Sequence, residues 1–165
     1  MIKFKGEIEV KLVGKQPEVG QMAPDFMAVK NDLSEAHLSD YKGKRVVLNV
    51  FPSVDTGVCA ASVRRFNKEA AALNNTVVLC ISMDLPFAQQ RFCAAEGIKN
   101  VVMLSAFRCA CFSEKYGLRM ETGPLAGLLA RSVFVIDEEG KLVYSQIVPE
   151  VTEEPNYEAA LAKLK

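Results

Sequence analysis

The sequence reads as an α/β protein: a parallel sheet with helices packed between successive strands. Apolar, β-branched runs of strand length occur at 46–51, 76–82, 101–105, 132–136 and 141–148. Unbroken runs of this kind mark strands covered on both faces. Between the first three lie segments whose apolar residues recur at intervals of three and four, which is one face of a helix. Strand–helix–strand alternation builds a parallel sheet, and the last two runs are close enough to form a hairpin.

Length and composition bound the rest. The chain has 165 residues, half of them hydrophobic, which supplies a core for a single domain spanning 1–165. Lys plus Arg and Asp plus Glu number 20 each. No net positive charge draws the chain to nucleic acid or to an anionic membrane. The opening MIKFKGEIEV alternates charged and apolar residues without the apolar stretch of a signal peptide. No apolar run approaches membrane-spanning length. The expected location is cytoplasmic.

The N-terminal residues 2–13 read as a β-hairpin, with IKF and EIEVKLV as strands around Lys5-Gly6-Glu7. Gly and Pro punctuate a loop over 14–24. A short strand is expected near 26–29 and a turn over 39–44. The run 46–51 ends at Pro52, and a loop with Asp55, Thr56 and Gly57 follows. Cys59, Val63, Phe66, Ala70 and Leu73 then mark the buried face of a helix, which Asn74 and Asn75 stop. Cys80 lies inside the next strand and is expected in the core. Asp84-Leu85-Pro86 begins a second helix with Pro in its first turn. Gly97 ends it as a C-cap. Ala88, Phe92 and Ala95 form its expected buried face. Cys93 sits about a quarter turn from Phe92, on the flank near Gln89, Gln90 and Glu96. After the strand at 101–105, a short helix at 112–116 ends at Gly117, and 122–129 is loop. The final strands join through a hairpin turn at 137–140, before a terminal helix over 155–164. This order fits a thioredoxin-like α/β fold with an added N-terminal β-hairpin.

The chemistry is concentrated where strand 46–51 hands over to the first helix. Open α/β sheets place their sites at the C-terminal ends of strands. In a helix's first turn the backbone N–H groups lack partners and the dipole is positive. Both stabilise a thiolate, so the Cys59 pKa is expected to fall. Thr56 can supply a hydroxyl donor. Taken alone, Cys59 reads equally as a small buried hydrophobe, the usual state of a free cysteine. Arg131 opens a core strand. It reads either as a solvated strand end or as a guanidinium that reaches the Cys59 sulfur.

The remaining cysteines narrow the choices. Five lie at 59, 80, 93, 109 and 111, with no C-x-x-C. An odd count without a leader argues against a structural disulfide framework. Cys109 and Cys111 form a C-x-C without further ligands, so they read as apolar fillers or incidental surface thiols rather than a metal site. The one histidine, His37, lies in a polar segment and reads as a surface residue. A Cys–His pair would require His37 to fold onto Cys59.

Pro52-x-x-x-Thr56-x-x-Cys59 resembles the peroxidatic motif of peroxiredoxins. The string FPSVDTGVCAASVR at 51–64 is similar to their thiol peroxidase branch. The resemblance spans essentially the whole chain, through PDF at 24–26, SDYKGK at 39–44, LPFAQQRFC at 85–93 and GPLAGLLARSVFVID at 123–137. It implies a peroxidase acting on hydrogen peroxide and organic hydroperoxides, without cofactor or metal. It casts Cys59 as the peroxidatic and Cys93 as the resolving cysteine, joined in a Cys59–Cys93 disulfide that thioredoxin reduces. It places Thr56, Arg131 and Pro52 around the reacting sulfur. It also implies a homodimer formed near the site, with 107–116 as a candidate surface. Cys109 and Cys111 depart from the family pattern, where polar residues are expected. The rival readings are a redox sensor or holdase using the same cysteines, and a thioredoxin-like disulfide oxidoreductase. The absence of C-x-x-C speaks against the second. Because a disulfide needs Cα atoms within about 7 Å, a shielded Cys59 and a Cys93 on another helix must move to meet. Gly57 and the short helix ending at Gly97 make local unwinding the expected route.

Overall fold

The computed structural model describes residues 2–70 and 72–164. Its centre is a seven-stranded mixed sheet. Three parallel strands form the middle: β6 (Arg45–Val50), β7 (Thr76–Ser82) and β8 (Val102–Ser105). Two helices make the crossovers between them: α1 (Gly57–Glu69) and α2 (Pro86–Glu96). On the far side of β6, β10 (Ser132–Ile136) runs antiparallel, with Phe134 opposite Leu48. β11 (Leu142–Ile147) closes that edge as a hairpin. The hairpin turn is fixed by Asp137 Oδ1, which accepts from the amides of Glu139 and Lys141 at 3.0 and 2.9 Å. The other edge is β4 (Met27–Val29), paired antiparallel with β8 and with β5 (Glu35–His37).

Alternation along the strands sorts the core into two layers, because successive side chains point to opposite faces. Val47, Val78, Cys80, Met103 and Val133 meet Cys59, Val63 and Phe66 of α1 and Phe92 of α2. The terminal helix α4 (Tyr157–Ala162) adds Tyr157 and Ala160 to this layer. Val46, Leu48, Leu79, Ile81 and Leu104 face the other way, toward Phe112 and Tyr116 of α3 (Cys111–Tyr116). Aromatic rings fill that side: Phe26 and Phe112 meet edge-on at 4.8 Å, and Tyr116 meets Phe134 at 5.2 Å. The buried Tyr116 hydroxyl donates to the Pro24 carbonyl at 2.7 Å, which satisfies its polar end.

Four local expectations are revised. The N-terminal hairpin is shorter than its apolar pattern: β1 (Ile2–Phe4) pairs with β2 (Ile8–Val10). Leu12–Val13 instead forms β3, paired with β9 (Arg119–Met120). The Glu121 amide bonds to the Lys11 carbonyl and carries the chain from one ribbon to the next. The polar segment around His37 contains strand β5, which shows a single buried residue, Ala36, and so no readable alternation. Helix α2 buries Pro86, Gln89 and Phe92, while Ala95 faces solvent. The Gln89 amide takes the interior position because it donates to the Leu104 carbonyl at 2.9 Å and to Ser82 Oγ at 3.1 Å. Helix α1 ends at Glu69, so Leu73 packs on the same core from beyond the helix.

His37 stands on edge strand β5, with β4, β8 and β7 between it and β6. A His37–Cys59 pair is therefore not formed. Its imidazole lies 3.8 Å from Asp40 and is 43% exposed. Among the described residues, no helix is long and apolar enough to cross a membrane.

Candidate active site

Strand β6 delivers the chain to Phe51 and Pro52, both buried. The loop 52–56 then turns into α1. Thr56 is the N-cap residue, with extended backbone angles and no side-chain cap bond. The amides of the first turn, Gly57 to Cys59, are thus left for a ligand or water. The Thr56 hydroxyl donates to the Ser53 carbonyl at 3.1 Å. The donation to sulfur expected of Thr56 is not made in this conformation, because the loop's own carbonyl takes that proton.

Cys59 is fully buried in the first turn of α1. Arg131 lies directly before β10, whose register sets Ser132 opposite Val50, so the Arg131 side chain starts beside the end of β6. Its Nη1 donates to Cys59 Sγ at 3.1 Å and its Nε donates to the Val151 carbonyl at 3.1 Å. Arg131 is 3% exposed. Among the described residues, no carboxylate forms a salt bridge with it. A guanidinium keeps its charge in any environment, and a buried charge demands a compensating one. The Arg131 guanidinium thus sets a buried positive charge against the Cys59 sulfur. Behind the sulfur, Ser62 Oγ donates to the Cys59 carbonyl at 2.9 Å and accepts from Asn49 Nδ2 at 3.3 Å.

The other cysteines differ sharply in setting. Cys80 is buried in β7, and burial pushes its thiol up to about 12, so it stays protonated at neutral pH. Cys93 packs half-buried on α2 against the same core as Cys59, and burial raises its pKa as well. Cys59, Cys80 and Cys93 are all free thiols. Cys109 and Cys111 are bridged to each other, with Cα atoms 5.2 Å apart. This overturns their reading as fillers or free surface thiols. The turn entering α3 brings residues two apart within disulfide reach. Among the described residues, no group of His, Cys, Asp and Glu is placed to hold a metal ion.

A groove of about 350 Å³ lies between the first turn of α1 and α2, lined by Val54, Thr56, Ala60, Arg91 and Phe92. Arg91 on α2 pairs with Asp55 across it at 3.3 Å. A second pocket, about 160 Å³ and lined by Leu38, Tyr41, Val46 and Ile136, sits at the opposite end of β6 and contains no cysteine.

Sequence reasoning missed the polar residues that fix the loop. Asp84, just after β7, accepts from Ser53 Oγ at 2.8 Å and from the Val54 amide at 2.9 Å. The one available sign was position: Ser53 and Asp84 both follow the C-terminal ends of neighbouring parallel strands.

The family model described as Redoxin matches residues 18–161. The chain is 55% identical over 161 residues to a thiol peroxidase of Corynebacterium glutamicum, covering 98% of this chain and 96% of the relative. Among solved structures, a peroxiredoxin-like protein from Aquifex aeolicus superposes with a TM-score of 0.93 at 44% identity, over 99% of this chain and 94% of that one. A thiol peroxidase from Chromobacterium violaceum superposes with a TM-score of 0.86 at 22% identity over the same shares, a likeness of fold.

Proposed function

The chain belongs to the redoxin family, in its thiol peroxidase branch, and from that membership we propose that it reduces hydroperoxides at Cys59. The observation that supports this most is the 3.1 Å contact between buried Arg131 and the Cys59 sulfur. In the first half-reaction the Cys59 thiolate attacks the terminal peroxide oxygen. The S–O bond forms as the O–O bond breaks, leaving a sulfenic acid and an alkoxide or hydroxide that takes a proton from solvent. Arg131 and the first-turn amides stabilise the charge that develops on the departing oxygen. Thr56 joins them if its hydroxyl turns from the Ser53 carbonyl toward the peroxide. Pro52, buried beside the loop, limits water.

In the second half-reaction the Cys93 thiolate attacks the Cys59 sulfenic sulfur. A Cys59–Cys93 disulfide forms and hydroxide leaves. Cys59 and Cys93 are free thiols on different helices, and burial suppresses Cys93 ionisation. Unwinding at α2 relieves both obstacles at once: it frees Cys93 to approach and removes the burial that keeps it protonated. A dithiol reductant of the thioredoxin class then returns both thiols by exchange.

Steady-state peroxide consumption with thioredoxin, its reductase and NADPH tests this reading. Many turnovers per chain are expected. A single stoichiometric oxidation without recycling would leave a sensor or holdase instead.

A homodimer is the second element of the proposal. Leu85, Phe87 and Phe107 are exposed at 50%, 63% and 41%. They flank the strand ends on which the Cys59 loop rests, where the Ser105 hydroxyl bonds to the Asp84 carbonyl. Large apolar side chains exposed beside the site suit an interaction surface. Light scattering at micromolar concentration is expected to give twice the chain mass, and Phe87→Glu is expected to halve it. A monomeric wild type would refute the dimer.

A further inference from the structure

The contacts that hold the Cys59 loop converge on one side chain. Asp84 lies between β7 and α2. Its Oδ1 accepts from Ser53 Oγ at 2.8 Å, and its Oδ2 accepts from the Val54 amide at 2.9 Å and from Ser82 Oγ at 2.6 Å. Ser82 Oγ in turn accepts from Gln89 Nε2 at 3.1 Å. Gln89 is fully buried on α2 and stands one turn before Cys93, on the same side of the helix. A continuous polar chain thus joins the loop before Cys59 to the helix that carries Cys93. Charge-assisted bonds to a carboxylate are the stronger kind, whereas the exposed Arg91–Asp55 pair nearby contributes little.

We propose that Asp84 is a positioning residue, a latch between the Cys59 loop and α2 that sets the balance between the two half-reactions. The proposal rests on the roles given above to Cys59 and Cys93. While the latch is closed, the loop keeps Cys59 against Arg131 and ready for peroxide, and Cys93 stays on its helix. Disulfide formation requires the loop and the start of α2 to separate, so the latch must open. It therefore favours attack and opposes resolution. It also sets the lifetime of the sulfenic acid. A long-lived sulfenic acid meets a second hydroperoxide, which transfers another oxygen to sulfur as its O–O bond breaks and an alcohol or water leaves, giving the sulfinic acid.

Rapid-quench mass spectrometry of the full-length chain separates thiol, sulfenic acid, disulfide and sulfinic acid, and so reads both steps. In Asp84→Ala, loss of thiol is expected to slow roughly tenfold, as displaced reacting groups do. The sulfenic acid, once formed, is expected to convert to disulfide faster than in wild type, with less sulfinic acid at high peroxide. Amide exchange in the reduced variant is expected to quicken over 53–60 and 86–93. Asp84→Asn keeps an oxygen for the Val54 amide and a polar group for Ser53, so it is expected to restore most of both rates. Ser53→Ala removes one contact and serves if Asp84→Ala does not fold. It is expected to show the same opposed shifts at smaller size. Rates that move in the same direction, or do not move, overturn the latch. A wild-type chain that forms no Cys59–Cys93 disulfide overturns the underlying roles and the latch with them. A wild-type disulfide with unaffected variants overturns the latch alone.

Discussion

Cys59→Ser is expected to abolish peroxide turnover, by at least about 10⁴-fold, as loss of an enzyme's nucleophile does. The serine oxygen would still sit against Arg131 in the first turn of α1. It would not ionise at neutral pH, and a neutral hydroxyl is a weak nucleophile without an adjacent base. The one histidine cannot serve as that base, because His37 stands on the far edge strand. Cys80→Ser is the contrasting variant. Cys80 is buried in β7 and held protonated, with burial pushing it up to about 12. Its loss removes no reactive thiolate. Burying a hydroxyl there costs roughly 1–3 kcal/mol of stability, offset in part by Asn49, whose amide already lies 3.7 Å from that sulfur. Turnover below the melting transition is therefore expected to stay near wild type. Peroxide consumption by the two purified variants decides the matter. Turnover retained in Cys59→Ser would sink the assignment of the nucleophile.

Arg131→Met is expected to slow peroxide attack by about 10²–10³-fold, the usual cost of removing one donor from a site of developing negative charge. The fold is expected to survive. Methionine fills a similar volume, and the sulfur left without its cation takes up a proton, so no uncompensated charge stays buried. The lost bond to the Val151 carbonyl is the opposing cost. Activity and stability should therefore separate, with the melting temperature little changed while the rate collapses. Stopped-flow measurement of the second-order rate with hydrogen peroxide, beside a thermal unfolding curve, tests both halves. An unchanged rate would reduce Arg131 to a strand-end residue.

The parts of the fold legible in the sequence are those with one dominant cause. β6 and β7 show as unbroken apolar runs because α1, α2 and α4 cover one face of the sheet, and α3 with Phe26 and Leu118 covers the other. The limits of α2 follow from Pro86 at its start and Gly97 in the left-handed conformation at its end. Cys59 stands out because a helix's first turn favours a thiolate, and Arg131 because a charge at the start of a buried strand needs a partner. The rest depends on partners distant in the chain. Gln89 is buried because the Leu104 carbonyl needs a donor, and no helical period reports that. β3 and β9 are strands only because they meet each other across more than 100 residues. Thr56 could be named as a hydroxyl near the sulfur, but its direction is set by the Ser53 carbonyl, a feature of loop shape. The Cys109–Cys111 bridge likewise depends on how the backbone enters α3.

The antiparallel pairing of β10 with β6 fixes Arg131 and the end of β6 through a ladder of backbone bonds at the centre of the sheet. Cys93 has no such frame, since it rides on a peripheral helix of eleven residues. The molecule thus divides its labour between an anvil and an arm. On the proposed mechanism, substitutions on the outer face of α2 retune how quickly the arm swings while the anvil keeps its shape. Substitutions in the sheet core disturb both, because the arm is measured from the anvil. If those roles hold, a descendant of this chain can trade tolerance of high peroxide against speed of recycling by small changes on α2, with Arg131 left in place.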